Sequence, residues 1–293
     1  MTGVHIIKNG RLASPAEAMF SLDDVDATYG YGCYETLKIR NGVLYFPEFH
    51  EERLLRSASI LGIATDIRKG QVVEALCLLA RDGEPGDCNI KIMLMGHENR
   101  PADWYAFMIP PLVAPAAAYA DGASCLLYRG QRHFPQAKSL SMLLSTVAYR
   151  EAAGLGCWDA LLVNGLGQIT EGTRTNVFYA RRGEPDVIYT PPAADVLEGI
   201  TRRTLILALA ESGIRTVERP LSVDAALGGG YGLAVTSTSS RVIPVRTLIS
   251  HPMAASGVTP QPVAFGASAE IDRARAIYDD YLARWAERNG RGY

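Results

Sequence analysis

The chain has 293 residues, 48% of them apolar, enough to bury one large core or two modest ones. Its 29 basic and 31 acidic residues leave a net charge of −2, and no lysine- or arginine-rich run offers a face to nucleic acid. Five cysteines (Cys33, Cys77, Cys88, Cys125, Cys157) without a C-x-x-C pair argue against a zinc or disulfide framework, and no apolar run reaches membrane-spanning length. Reduced thiols, and a start that enters Val4-His5-Ile6 without a charged-then-apolar leader, predict a cytoplasmic protein.

The first segment reads as strands joined by tight turns. Asn9-Gly10 and Asn41-Gly42 are hairpin signals, and the second joins residues 36–40 to residues 43–46. Pro47 opens a helix with Leu54, Leu55, Ala58 and Leu61 at helical spacing and Gly62 as its stop. His50 and Arg53, three apart, share one face of that helix and can point at one ligand. A second helix spans Gln71 to about Arg81, followed by a strand from Ile90 to Met95. Residues 110–120 are rich in proline and alanine and lack clean periodicity. They predict a linker at 113–122 between a first domain, 1–112, and a second, 123–293.

Beyond the linker come a strand at 124–128 and a helix from about Ser139 to Ala153, ended by Gly154. Residues 158–164 and 168–180 read as a hairpin, which puts Glu171 on or beside a strand. Thr201 is expected to cap a helix running to about Ser212, and Leu233–Val235 is a short buried strand leading into a Thr/Ser cluster. The last helix carries Ile271, Ala274, Ile277, Tyr278, Tyr281, Leu282 and Trp285 on one stripe.

Two residues suggest chemistry. Lys138 is expected at a helix start, where the positive dipole end disfavours a cation and so favours a neutral amine. A lysine amine can form a Schiff base with an aldehyde cofactor, and a carboxylate such as Glu171 can hold a cofactor's ring nitrogen protonated. Taken singly, each residue is ordinarily a solvated side chain. A phosphate needs a cation and clustered N–H donors: Arg53 can supply the first, the amides of Ile200 and Thr201 at a helix start the second, and Ser237 and Thr238 a further turn of donors. A metal site is not expected. His50-Glu51-Glu52-Arg53 lacks the second histidine of a zinc-protease helix, and Gly30-Tyr31-Gly32 lacks the third glycine of a nucleotide fingerprint.

Six segments occur in order: Tyr29-Gly30-Tyr31-Gly32-Cys33-Tyr34-Glu35, His50-Glu51-Glu52-Arg53-Leu54, Lys138-Ser139-Leu140-Ser141, Thr170-Glu171-Gly172-Thr173-Arg174-Thr175-Asn176, Glu198-Gly199-Ile200-Thr201-Arg202 and Thr236-Ser237-Thr238-Ser239-Ser240. Together they resemble the fold-type IV pyridoxal-phosphate enzymes, the class of branched-chain aminotransferases, D-amino acid aminotransferases and aminodeoxychorismate lyases, over nearly the whole chain. The resemblance implies an α/β (α+β) two-domain fold with a smaller N-terminal α+β domain and a larger barrel-like C-terminal domain. It further implies pyridoxal 5'-phosphate in the crevice between them, and a homodimer whose partner loop completes the pocket. Lys138 would carry the Schiff base and shuttle the substrate proton, Glu171 would pair with the ring nitrogen, and Arg53, Ile200, Thr201, Ser237 and Thr238 would hold the phosphate.

Tyr34, His50, Arg100, Arg174 and Ser239 are the candidate substrate-facing residues. Leu143 stands where the branched-chain enzymes usually keep a tyrosine, so the lysine segment looks more like the D-amino acid pattern. Ala102 replaces the histidine of the arginine-x-histidine pair of those enzymes, and Arg174 is the candidate substitute for carboxylate binding. The expected function is transfer of an amino group from an amino acid, of the D type in preference to a branched-chain L-amino acid, to a 2-oxo acid. The alternatives are the pyruvate-releasing lyase and a cofactor-binding protein without turnover.

Overall fold

The computed structural model describes residues 1–83, 86–250 and 262–290. The chain divides into two compact units: Met1–Val113 with Gln136–Ser141 and Ala283–Tyr293, and Ala114–Pro135 with Met142–Leu282. The first holds strands β1 (Ile6–Lys8), β2 (Arg11–Ala13), β3 (Gly32–Arg40), β4 (Val43–Leu44), β5 (Cys88–Met95) and β6 (Asp103–Ile109), with helices α1 (Val25–Thr28), α2 (Pro47–Ile60) and α3 (Gln71–Gly83). Its strands pair antiparallel in the order β2-β1-β6-β5-β3-β4. One face of this sheet is apolar by strand alternation: Leu37, Ile39, Ile90, Ile92 and Leu94 pack with Leu54 and Ala58 of α2 and Leu76 and Leu79 of α3. On β3 the other face carries Tyr34, Thr36 and Lys38.

The second unit contains α4 (Ala116–Ala120), β7 (Ala123–Arg129), α5 (Leu143–Gly154), β8 (Asp159–Val163), β9 (Gln168–Gly172), β10 (Asn176–Arg181), β11 (Val187–Thr190), α6 (Ile200–Glu211), β12 (Arg215–Glu218), β13 (Leu221–Ser222), α7 (Val223–Leu227), β14 (Tyr231–Ser237), β15 (Arg241–Ser250) and β16 (Pro262–Ala264). The strand path β12-β11-β10-β14-β15-β7-β8-β9-β13 is closed on itself by a further pairing of β9 with β10, which makes a barrel of six of its strands. Cys125, Leu161, Ile169, Val177, Val235 and Ile243 are among the apolar side chains that fill it. The last helix, α8 (Ala269–Asn289), buries Ile271, Ala274, Tyr278, Tyr281 and Leu282, and Trp285 beyond them stacks on Tyr45.

Four local expectations change. The stretch read as a linker holds α4, whose Ala118 is buried in the second unit's core. The helix expected from Ser139 begins at Leu143, because residues 138–140 are extended and use their backbone groups to pair with β3. Thr201 is not a cap: Gly199 is the N-cap of α6, and Thr201 lies within the first turn. The run 168–180 is two strands, broken by a three-residue turn at 173–175.

Candidate active site

In the first unit, the strap 136–141 lies along the start of β3. Tyr34 N–H donates to the carbonyl of Lys138 at 2.9 Å, Leu140 N–H to the carbonyl of Gly32 at 2.9 Å, and Lys138 N–H to Ser57 Oγ on α2 at 3.0 Å. The backbone of Lys138 is thus held on both sides, and its amine lies 4.4 Å from the centre of the Tyr34 ring. Lys91 on β5 reaches the same ring at 5.5 Å. Among the described residues neither amine has a carboxylate or hydrogen-bond partner. The helix-dipole reason offered for Lys138 does not hold, since that effect is confined to the first turn and α5 starts five residues on.

Glu35, the next residue of β3, points to the opposite face and meets α2. Arg53 binds it through two bonds, Nε to Oε1 at 2.6 Å and Nη2 to Oε2 at 2.7 Å, and His50 Nδ1 lies 2.7 Å from Oε2. Burial would raise the Glu35 carboxyl, but Arg53 and His50 outweigh it and hold the group far below the usual carboxylate range. Burial keeps His50 below its ordinary value, so a neutral ring donates its Nδ1 proton to Glu35. The helical spacing of His50 and Arg53 did bring them to one ligand, an internal carboxylate. His50 has no solvent exposure and is not substrate-facing, because strand alternation puts it behind the sheet from Tyr34. Arg100 is exposed and paired with Asp103 at 2.8 Å, so the expected substrate arginine is a surface ion pair of the first unit.

In the second unit, Glu171, next to last in β9, pairs across strands with Asn176, which pairs in turn with Thr236 on β14. Three buried polar residues therefore lie side by side where the apolar barrel strands terminate. The Glu171 carboxylate accepts Arg132 Nε at 2.7 Å and the Leu197 amide at 3.1 Å, while Asn176 Nδ2 donates to the Leu197 carbonyl at 2.7 Å. The loop entering α6 is thereby fastened to the barrel closure. Arg132 was not anticipated: it lies in an irregular loop, and no pattern in the sequence connects it to Glu171.

At the start of α6, Gly199 supplies no side-chain cap, and a Cβ there would collide with Asn176 Oδ1. Ile200 and Thr201 accordingly open the helix with backbone amides in place of a capping group. Ser237 Oγ is used within its own turn, 2.7 Å from Ser240 Oγ and accepting the Ser240 amide at 3.1 Å, so it builds the turn on which Thr238 and Ser239 stand. Arg174, expected at the substrate carboxylate, donates to the carbonyl of Trp158 at 2.8 Å with its guanidinium against the Tyr149 and Trp158 rings.

A family model described as amino-transferase class IV matches residues 32–248. The D-alanine aminotransferase of Bacillus licheniformis is 28% identical over 83% of this chain and 88% of its own length. The branched-chain aminotransferase of Thermoproteus uzoniensis with norvaline superposes with a TM-score of 0.82 at 22% identity, covering 97% of each chain. The branched-chain amino acid aminotransferase of Escherichia coli gives 0.80 at 20% identity over 96% of this chain and 94% of its own. Among the described residues, no helix is long and apolar enough to cross a membrane.

Proposed function

We infer the roles of single residues from the premise that this chain belongs to the class IV amino-transferase family, pyridoxal 5'-phosphate enzymes that move an amino group from an amino acid to a 2-oxo acid. The residues present fit that cofactor. A buried carboxylate acceptor at Glu171, an uncapped helix start at Ile200 and Thr201, and the buried Thr236 hydroxyl without a partner form a donor and acceptor set within one unit. Bound pyridoxal 5'-phosphate supplies an aldehyde carbon that an amine can take and a ring that withdraws the electrons left when a substrate proton departs.

The observation that carries the reading is the amine of Lys138: backbone fixed on both sides, side chain on the Tyr34 ring, and no carboxylate among the described residues to neutralise it. Lys138 Nζ would hold the cofactor's aldehyde carbon and, as a free amine, would move the proton at the substrate's α-carbon. Glu171 would accept the ring N–H, with Arg132 Nε bonded to the same carboxylate at 2.7 Å. Ile200 and Thr201 at the helix start, and Thr238 on the turn that Ser237 builds, would bind phosphate, and Ser239 would face the substrate. Arg53, oriented by Glu35, adds the cation, and Tyr34 lines the substrate side.

We favour a D-amino acid donor over a branched-chain L-amino acid. Leu143 in place of the branched-chain tyrosine and the likeness to D-alanine aminotransferase support this. A homodimer is supported by the exposed apolar side chains of Met19, Leu22, Val25 and Tyr29 on one short segment. A cytoplasmic location is supported by five free thiols.

Borohydride reduction of the loaded enzyme followed by peptide mapping tests the central assignment. Because Lys91 and Lys138 border one ring, the adduct is expected on Lys138 alone, and an adduct on Lys91 overturns the reading. A panel of D- and L-amino donors with pyruvate and 2-oxoglutarate, with release of pyruvate from aminodeoxychorismate as a further arm, decides donor class and reaction.

A further inference from the structure

The turn Thr173-Arg174-Thr175, which returns β9 to β10, is fastened from behind by a carboxylate to which the reaction gives no part. Asp159, the first residue of β8, has no solvent exposure. It accepts Thr173 Oγ1 at 2.5 Å, Thr175 Oγ1 at 2.7 Å and the Ala160 amide at 2.8 Å. The backbone repeats the fastening: Thr173 N–H donates to the Ala160 carbonyl at 2.9 Å and Gly172 N–H to the Thr175 carbonyl at 2.7 Å. Between the two threonines, Arg174 is held by the Trp158 carbonyl and two aromatic rings. A Cβ on Gly172 would collide with Thr175 Oγ1 and with Asp159 Oδ2, so the carboxylate sits directly against the residue that follows Glu171.

An apolar side chain would fill the same space without the cost of burying a carboxylate. What the carboxylate adds is direction, because two short hydroxyl bonds fix both flanks of the turn. Burial pushes the Asp159 carboxyl above its ordinary value, and the Thr173 and Thr175 hydroxyls act against that rise. A clamp of this kind costs stability and yields a set geometry.

We propose that Asp159 is a positioning residue for transamination: through Thr173 and Thr175 it fixes the turn so that Glu171 stands at one reach from the cofactor's ring nitrogen. The inference rests on the reading of Glu171 given above. Its reach is that of any second group which holds a catalytic one, where displacement of about 1 Å costs roughly 100-fold in rate.

Asp159→Asn tests the carboxylate and Thr175→Val its hydroxyl contact; the second preserves volume and the other bonds, so it stays readable where the first fails to fold. Thr175→Val is expected to lower kcat roughly 10- to 100-fold with the amino donor's KM changed less than about threefold. In the cofactor-free protein it should speed hydrogen exchange of the peptide covering residues 169–177, and it should raise the dissociation constant of pyridoxal 5'-phosphate. The deciding measurement is the same substitution in a Glu171→Gln background. Acting through Glu171, Thr175→Val should there lose most of its effect on kcat. An equal fold-loss in both backgrounds, or unchanged exchange of the turn, overturns the proposal while leaving Glu171 its role. Full turnover of Glu171→Gln alone removes that role, and the proposal with it.

Discussion

Arg53 is bonded to Glu35 and is proposed as the phosphate's cation, and a double replacement can separate the two roles. Arg53→Ala leaves the buried Glu35 with His50 and the Thr36 amide but no cation of its own, and breaking a buried pair from one side costs about 3–5 kcal/mol. Glu35→Leu with Arg53→Met removes both charges and should recover part of that loss, His50 being left without its acceptor. If Arg53 is the phosphate's cation, cofactor retention fails in both variants; urea unfolding and titration with pyridoxal 5'-phosphate separate the two effects. The pH dependence follows in sign. The Glu35 carboxyl is held low in the folded chain, so its contribution is complete above the ordinary carboxylate range and is lost as pH falls through the depressed value. In Arg53→Ala burial would dominate and raise the carboxyl above its unfolded value, so the sign reverses: the urea midpoint should fall as pH rises through the carboxylate range. Spacing alone revealed that His50 and Arg53 share a target; it did not reveal Glu35, whose direction is set by the register of β3.

At the scale of elements, the strap bearing Lys138 is the part least legible from sequence. Residues 139–153 read as one helix, yet 138–140 spend their backbone groups on β3, a pairing that joins segments distant in the chain and leaves no local trace. Turn chemistry at Asn9-Gly10 and Asn41-Gly42, the Pro47 helix start and the last helix's apolar stripe were legible because their causes are local. Ser57 gives a direct test of the strap. Ser57→Ala deprives Lys138 N–H of its acceptor and should cost about 1–3 kcal/mol. Hydrogen exchange across residues 138–140 should quicken, and Ser57→Thr, which keeps a hydroxyl, should restore protection. Unchanged exchange in Ser57→Ala would show that β3 alone holds the strap.

On the scale of the whole molecule, the class of protein was readable from six ordered segments, whereas the partners of its arginines were not. Arg132 is committed by Glu171, far along the chain, and Arg174 by the carbonyl of Trp158 in an irregular stretch, while Arg100 takes Asp103 at the start of β6; a long, flexible cation carries no periodic signature of its target. The exposed segment around Leu22, where Met19 is 80% and Leu22 93% exposed, bears on assembly. Leu22→Asp should shift sedimentation toward a monomer without altering the far-ultraviolet circular dichroism; an unchanged dimer would place the interface elsewhere.

The barrel's closure also sets an order of events in folding. The strands β8, β9 and β10 follow one another directly, so the Glu171–Asn176 seam closes at small entropic cost. The parallel pairing of β7 with β15 instead joins Cys125 to Leu248 and Leu127 to Ser250, across a loop that contains most of the second unit. Non-local parallel pairing is slow. Pulsed hydrogen labelling during refolding should therefore find the amides of β8–β10 protected before those of β7 and β15. Glu171 would then be among the first residues to meet its strand partner, Asn176, and the nascent chain would hold that seam before it holds a barrel.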